Sequence, residues 1–319
     1  MRISFNSKID PKNIEGTNGY GYATDRMLAS LKNLGYEVSH NDPNADVGFC
    51  FNQPQHWEFF GNQYRIGYHP WESTLLMPGW AEIMNECDEI WTPSPLIADW
   101  YRNYAGVKVP VYVYEHGVDD VWTTAPRRVD DMFKFLHIGG EASRKGAREV
   151  MGGFRHAFPK RQGVELNMKI ISQGWKIGSI RGINILNEKM SLKELIQLYH
   201  DNHVYVYPSY GEGFGLTPLQ AMATGMPTIT LPDWAPYKDF LDPNLNISSR
   251  LVRSPWPMLH PGNMLKPNMD DVIDRMRYAY NNYEQVTDYS YGIVNKLTQY
   301  YNWDRLTKEA FEALEARQK

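Results

Sequence analysis

One stretch of this sequence gathers most of its chemistry. Between Pro208 and Ile229 the residues read PSYGEGFGLTPLQAMATGMPTI. A short apolar run, Val204–Tyr207, leads into it, and an apolar helix is predicted over Leu216–Thr224. Gly211, Gly213 and Gly215 enclose Glu212 and Phe214. Glycines let backbone N–H groups approach a ligand closely, and the start of a helix adds further donors for an anion. A carboxylate in such a loop, at the carboxyl end of a strand, is explained more readily by a ligand than by packing. Glu212, Gly213, Phe214, Gly215, Leu216 and Gln220 are the candidates here.

Two other segments hold candidate groups. In GTNGYGYATDRML, Gly16, Gly19 and Gly21 fall between an opening strand and a helix. The spacing is not G-x-G-x-x-G after a strand, so the dinucleotide fingerprint is absent. A plain turn and an anion-binding turn both remain open, and Gly19 and Gly21 are kept as binding candidates. In YRIGYHPWESTLLMPGW, Tyr64–Trp80, His69 and Glu72 follow a strand and are able to handle protons or hydroxyls. His69 reads equally well as a hydrogen-bonded structural histidine, and Trp71 and Trp80 read as packing residues. His200 and His203 are spaced i, i+3, but only Asp201 lies near them, so no metal site is expected. There is no Asp-x-Asp pair, and Cys50 and Cys87 offer neither zinc spacing nor a disulfide framework.

The elements that must position these groups are legible. Apolar runs suited to strands occur at Arg2–Ile9, Glu37–Asn41, Val47–Phe51, Arg65–His69, Glu89–Thr92 and Val109–Glu115, with helices predicted at Gly21–Leu34 and Pro95–Ala105. A polar stretch, DDVWTTAPRRVDD, reads as a linker. The alternation then restarts: strand Phe133–Ile138, helix Ala147–Phe158, strand Leu166–Ser172, a capping box at Ser191–Glu194, strands Val204–Tyr207 and Thr228–Leu231, and helices from Asn268 onward. This predicts an α/β chain with two Rossmann-like domains, 1–120 and 133–298, a linker at 121–132 and a closing helix at 299–319. In parallel sheets of this kind ligands bind outside the carboxyl ends of the strands.

Length and composition set the bounds. With 319 residues, 42% of them hydrophobic, the chain is long enough for two cored domains. A net charge of -4 argues against bulk attraction to nucleic acid. No apolar run approaches the roughly 18 residues of a membrane span, and the opening residues lack the apolar core of a signal peptide. A soluble, cytoplasmic protein is expected.

The glycine-rich segment resembles the donor-binding signature of retaining GT-B glycosyltransferases, in particular glycosyltransferase family 4. Pro208-Ser209, Glu212-Gly213-Phe214-Gly215, the helix with Ala221-Met222-Ala223, and Gly225-Met226-Pro227 carry the likeness. Glu212 matches the first glutamate of the family's E-x7-E pair, and Gln220 stands at the second. Asp88–Val107 is similar to the family's segment closing the N-terminal domain. Gly117-Val118-Asp119 matches most of its Asn-Gly-Val-Asp signature, with His116 at the asparagine. Phe135–Phe154 looks like the first strand, loop and helix of its C-terminal domain. There Lys145-Gly146 fits, whereas Gly140 takes the place of an arginine; Arg144 is the candidate substitute, or a solvated charge at a helix start. Trp71, Glu72, Pro78 and Trp80 fit a subset of the family, and Asn302-Trp303-Asp304 resembles the start of its closing helix.

The resemblance implies a retaining, metal-independent transfer of a sugar from a UDP- or GDP-linked donor, with no separate cofactor. Lys145 and Arg144 would meet the diphosphate, Gln220 the ribose, and Glu212 the transferred sugar, with His69 or Glu72 near the acceptor. The acceptor hydroxyl would attack from the leaving-group face and the diphosphate would take its proton. The acceptor class stays open among a glycan, a lipid carrier, a protein side chain and a modified nucleobase. A nucleotide-sugar-binding protein of the same fold that has lost catalysis is the alternative, because of Gln220 and Gly140.

Overall fold

Runs of three to seven residues, too short for stable helices, assemble into two six-stranded, mainly parallel sheets. The computed structural model describes residues 1–8, 19–139, 144–160, 162–170 and 178–319, with backbone alone at 178–180. Gly16 and Gly140 therefore lie outside the described residues, as do the ends expected for strands at Ile9 and Ser172. The chain divides into two units: 1–117 with 253–264 and 300–319, and 118–252 with 265–299.

The first unit contains strands β1 (Arg2–Phe5), β2 (Glu37–His40), β3 (Val47–Phe51), β4 (Tyr64–Tyr68), β5 (Glu89–Thr92) and β6 (Val111–Val113). They lie in the order β2-β1-β3-β4-β5-β6, every neighbouring pair parallel. All five residues of β3 are buried, as a strand covered on both faces requires. Alternation sends Phe49 and Cys50 to opposite faces. Cys50 joins a layer of Trp57, Trp71, Trp80, Trp100 and Tyr101. Gly67 must be glycine because the Trp57 indole lies 2.2 Å from where its Cβ would sit.

The other face is closed by the last helix, α9 (Trp303–Gln318), together with α1 (Gly19–Asn33). Phe311 reaches Phe49, Trp91 and Tyr114 at ring distances of 6.1, 5.2 and 6.2 Å. Arg317 pairs with buried Glu89 at 2.9 Å. Helices α2 (Trp80–Met84) and α3 (Pro95–Asn103) complete the unit's main elements.

The second unit contains β7 (Phe133–Gly139), β8 (Val164–Ile170), β9 (Gly178–Ile180), β10 (Ile183–Leu186), β11 (Val204–Tyr207) and β12 (Thr228–Thr230), in the order β12-β11-β7-β8-β10-β9. All neighbours are parallel except β9 and β10. Its helices are α4 (Ala147–Ala157), α5 (Leu192–His200), α6 (Leu216–Ala223), α7 (Met269–Asn281) and α8 (Tyr283–Tyr300). Ser191 and Glu194 form the expected capping box on α5. The chain runs from β7 through α4 to β8 on one side, then returns through α5 to β11 on the other. β7 and β11 thus form a topological switch point, and their outgoing loops leave side by side. No helix among the described residues is long and apolar enough to cross a membrane.

Two features escape the sequence reading. The β9–β10 hairpin turns on Arg181 and Gly182, at φ 50° and 76°, a two-residue turn with both residues left-handed. Arginine is not among the residues that announce such a turn. The second is the stretch 121–132, which belongs to the second unit rather than standing free. Arg127 is buried and donates to the carbonyls of Asn202, Thr224, Tyr199 and Ala125, and to Thr224 Oγ1. His200 and His203 hold the same stretch, donating through Nε2 to the carbonyls of Thr123 and Arg128. The five N–H groups of a guanidinium can satisfy several carbonyls that would otherwise be buried without donors. Replacing Arg127 with Ala should lower the unfolding free energy by about 3 kcal/mol, with little rescue by Lys, because acceptors would be left unpaired. Urea denaturation of the three proteins measures this.

Candidate functional site

The switch point of the second sheet is built by contacts between its two loops. Gly146, at φ 78°, caps α4, and a Cβ there would meet the Pro208 carbonyl oxygen at 2.3 Å. The bare glycine thus lets the start of α4 press against the end of β11. Tyr210 N–H donates to the Arg144 carbonyl at 3.0 Å, stitching the loop after β7 to the loop after β11. Gly215, at φ 86°, caps α6, and a Cβ there would lie 2.5 Å from Trp234 and 2.6 Å from the Tyr237 hydroxyl. Tyr237 donates to the Gly215 carbonyl at 2.8 Å, and Trp234 to the Ser209 carbonyl at 3.2 Å.

Glu212 sits at the centre of these loops, 5% exposed. Lys145 Nζ donates to both its oxygens, at 2.8 and 2.7 Å. Arg144 lies 3.3 Å from Oε1 and also donates to the Gly211 carbonyl. Tyr207 and Ser209 donate to Oε1 at 2.9 and 2.7 Å. Burial by itself pushes the carboxyl pKa up, but Lys145 and then Arg144, with the bonds from Lys145 and Ser209, outweigh it and hold the group below its ordinary value. Glu212 is therefore an anion that brings two cations and two hydroxyls to one point.

Around this cluster the remaining candidates take distinct places. Gln220 lies on α6, 7% exposed. Phe214 is buried with its ring edge-on to Tyr237, and Leu216 opens α6. Gly213 lies buried between Glu212 and Phe214. Sequence reasoning gave no role to Tyr207, Ser209, Trp234 or His137. The alternation of β11 places the first of these beside the cluster, but nothing in residue spacing announces the others. His137 is fully buried on β7 and stacks on Tyr207 at 5.7 Å. Its Nδ1 faces the Val206 carbonyl at 2.9 Å, so Nδ1 carries the proton, and Nε2, with no partner among the described residues, is an acceptor. Burial first of all lowers its pKa to about 4, which keeps the ring neutral.

The first unit holds the other candidates. His69 directly follows β4, fully buried, with Nδ1 2.7 Å from the Tyr101 hydroxyl. Trp71 stacks on its ring and Trp80 meets it edge-on. Burial pushes its pKa down to about 3, so the imidazole is neutral at ordinary pH. Glu72 lies 3.6 Å from His260, whose ring packs on Trp71. Gly19 begins α1 with nothing among the described residues within 4 Å of a would-be Cβ, and Gly21 is buried two residues on. His116 is buried among Phe51, Tyr68 and Trp303. Among the described residues no three His, Cys, Asp or Glu side chains group as metal ligands.

Comparison with known proteins follows the same division. Residues 167–246, which contain β11, the Glu212 loop and α6, match the family described as glycosyl transferases group 1. A serotype-specific mannosyltransferase, WbdA, from Escherichia coli is 30% identical over 106 residues, 30% of this chain and 13% of that protein. The chain thus matches only a small part of that relative's length. Across the whole chain the likeness is one of fold. Sucrose-phosphate synthase from Thermosynechococcus elongatus superposes with a TM-score of 0.72 at 12% identity, covering 99% of this chain and 98% of that one. WaaG, a glycosyltransferase involved in lipopolysaccharide biosynthesis, gives 0.65 at 11% identity, covering 97% and 98%. The fold is α/β with parallel sheets, of the GT-B kind.

The ion cluster makes a testable contribution to stability. A carboxyl with a depressed folded pKa stabilises fully above its unfolded value, near 4.5, and loses that effect as pH falls through the folded value. Replacing Glu212 with Gln should cost about 3 kcal/mol at neutral pH by leaving buried cations without their carboxylate. The difference from wild type should shrink as pH falls below about 4.5 and through the lowered folded value. Urea titrations across that range measure it, and a constant difference would mean Glu212 is not ionised in the fold.

Proposed function

We propose that this chain is a glycosyltransferase that moves a sugar from a nucleotide-diphosphate donor to an acceptor hydroxyl, and that the donor binds at the carboxyl edge of the second sheet. One observation carries the reading: Arg144, Lys145 and Glu212 converge at the switch point, with Glu212 inside the segment that matches group 1 glycosyl transferases. The guanidinium and ammonium suit phosphate oxygens, and the amides opening α6 add to the positive end of a helix. Gln220 would offer its amide to ribose hydroxyls. Glu212 would hold Lys145 in place, and would meet a sugar hydroxyl by exchanging one of its present donors.

In the transfer, the bond from the anomeric carbon to the diphosphate oxygen breaks. The acceptor oxygen forms the new bond on the same face, and its proton passes to the departing diphosphate. Configuration is retained. The charge that develops on the leaving group falls where Lys145 and Arg144 lie, so their contribution grows toward the transition state. No metal is required in this scheme. The likeness to a mannosyltransferase favours a hexose donor, with guanine and uracil nucleotides the first to test.

Calorimetry with UDP, GDP, ADP and their sugars, with and without EDTA, tests the reading. Saturable binding to one nucleotide family, unchanged by EDTA, is expected. Lys145→Ala should weaken it about 30-fold, roughly 2 kcal/mol for a charge-assisted contact. Absence of binding to every member overturns the donor site. Binding without any transfer or donor hydrolysis favours the catalytically impaired binding protein instead.

A further inference from the structure

The segment from Pro243 to Met269 carries Arg250, Arg253 and Lys266 and no Asp or Glu, in a chain whose net charge is -4. Residues 253–264 of it belong to the first unit. They form a tight turn, with Ser254 N–H donating to the Gly262 carbonyl at 2.8 Å and His260 N–H to the Trp256 carbonyl at 2.8 Å. The turn is bolted to residues 71–75 of the same unit. Thr74 N–H donates to the Asn263 carbonyl at 3.0 Å, and Asn263 N–H to Thr74 Oγ1 at 2.8 Å. His260 packs on Trp71 at 5.3 Å and lies 3.6 Å from Glu72. Gly262, at φ 83°, has no room for a side chain, since a Cβ would meet Thr74 Oγ1 at 2.5 Å and Leu75 at 2.8 Å.

This fixed scaffold holds apolar side chains out into solvent. Met258 is 83% exposed, Leu259 59% and neighbouring Leu75 44%. Pro255, Pro257 and Pro78 are exposed beside them in sequence, and Trp256 is half-buried. Ordering a turn so firmly only to expose methionine and leucine at its tip is unfavourable unless another surface covers them. The high exposure of Met258 makes the tip convex, so it suits insertion into a soft apolar layer better than reception of a knob from a protein. The exposed cation at its base, Arg253, and the lack of carboxylates in the segment match anionic headgroups. The carboxylates on the adjoining segment are Glu72, which faces His260, and Glu82, in the first turn of α2.

We propose that the Leu75–Met258–Leu259 tip, with Arg253, is a docking surface for a membrane that contains anionic phospholipid. The proposal does not depend on the catalytic reading, because none of these residues lies at the switch point of the second unit. Co-sedimentation of the full chain with vesicles tests it, using phosphatidylcholine alone and an equal mixture with phosphatidylglycerol. Binding to the mixed vesicles, weakened by added salt, is expected. The double variant Met258→Asp, Leu259→Asp should lower partitioning about tenfold or more, from the apolar burial lost. Arg253→Glu should weaken binding to the mixed vesicles selectively. Both variants should keep the wild-type melting temperature and nucleotide affinity. The proposal is overturned by absence of binding to either vesicle or by unaltered binding of the double variant. It is also overturned if the tip drives self-association that the double variant abolishes, with no vesicle binding.

Discussion

A carboxylate removed from water must be met by cations and donors where it lies, and Glu212 imposes that requirement on the second unit. Its partners come from the loop after β7 and from β11 with the loop that follows it, so satisfying one charge fixes the two segments relative to each other. An isolated buried ion would be far too costly, whereas a fully bonded one locks geometry. The glycines serve the same end by sterics. Gly146 lets α4 begin against the Pro208 carbonyl, and Gly215 lets α6 begin beneath Trp234 and Tyr237. With larger residues at either position the loops would separate and the carboxylate would lose its partners.

The two units use one topology to different ends. Each sheet is parallel, apart from the β9–β10 edge of the second, with a switch in strand order between β1 and β3 in the first and between β7 and β11 in the second. Beyond the carboxyl end of β4, His69 is walled by Trp71, Trp80 and Tyr101, and burial keeps it neutral. Beyond β7 and β11 the surroundings are ionic. His137 stays neutral there as well, so the described charges at that point are those of Arg144, Lys145 and Glu212. A neutral acceptor nitrogen beside a fixed ammonium adds no repulsion toward it.

Strand and helix positions were legible because period and length suffice for parallel sheets: Val47–Phe51 and Val204–Tyr207 are continuous apolar runs and, like Glu89–Thr92, appear as expected. Glu212 stood out because a charge among glycines has little structural excuse, and Lys145 through the resemblance of Lys145-Gly146 to a family motif. What was hidden depends on pairings far apart in sequence. Nothing local says that Arg127 will feed the carbonyls of Tyr199, Asn202 and Thr224, or that His200 and His203 will hold the same stretch. Polar composition suggested a linker because it records which groups need partners, not where the partners are. The return of 253–264 to the first unit was hidden for a like reason, since it rests on Thr74 and Trp71.

Gln220 shows how one substitution alters two terms of opposite sign. It lies on α6, nearly buried, on the helix whose first amides face the proposed diphosphate. A glutamate there would accept hydrogen bonds from ribose hydroxyls more strongly than an amide does. It would also add a negative charge to the helix that starts at the Glu212 loop, and its own burial would call for a cation beside it. In the proposed complex the amide would give weaker bonds to ribose but leave the positive potential at the loop undiminished for phosphate. Since the diphosphate is the group that gains charge as the glycosidic bond breaks, the second term acts on the transition state and the first mainly on binding. On this argument Gln220 would cost donor affinity before rate, and its presence is compatible with the proposed transfer.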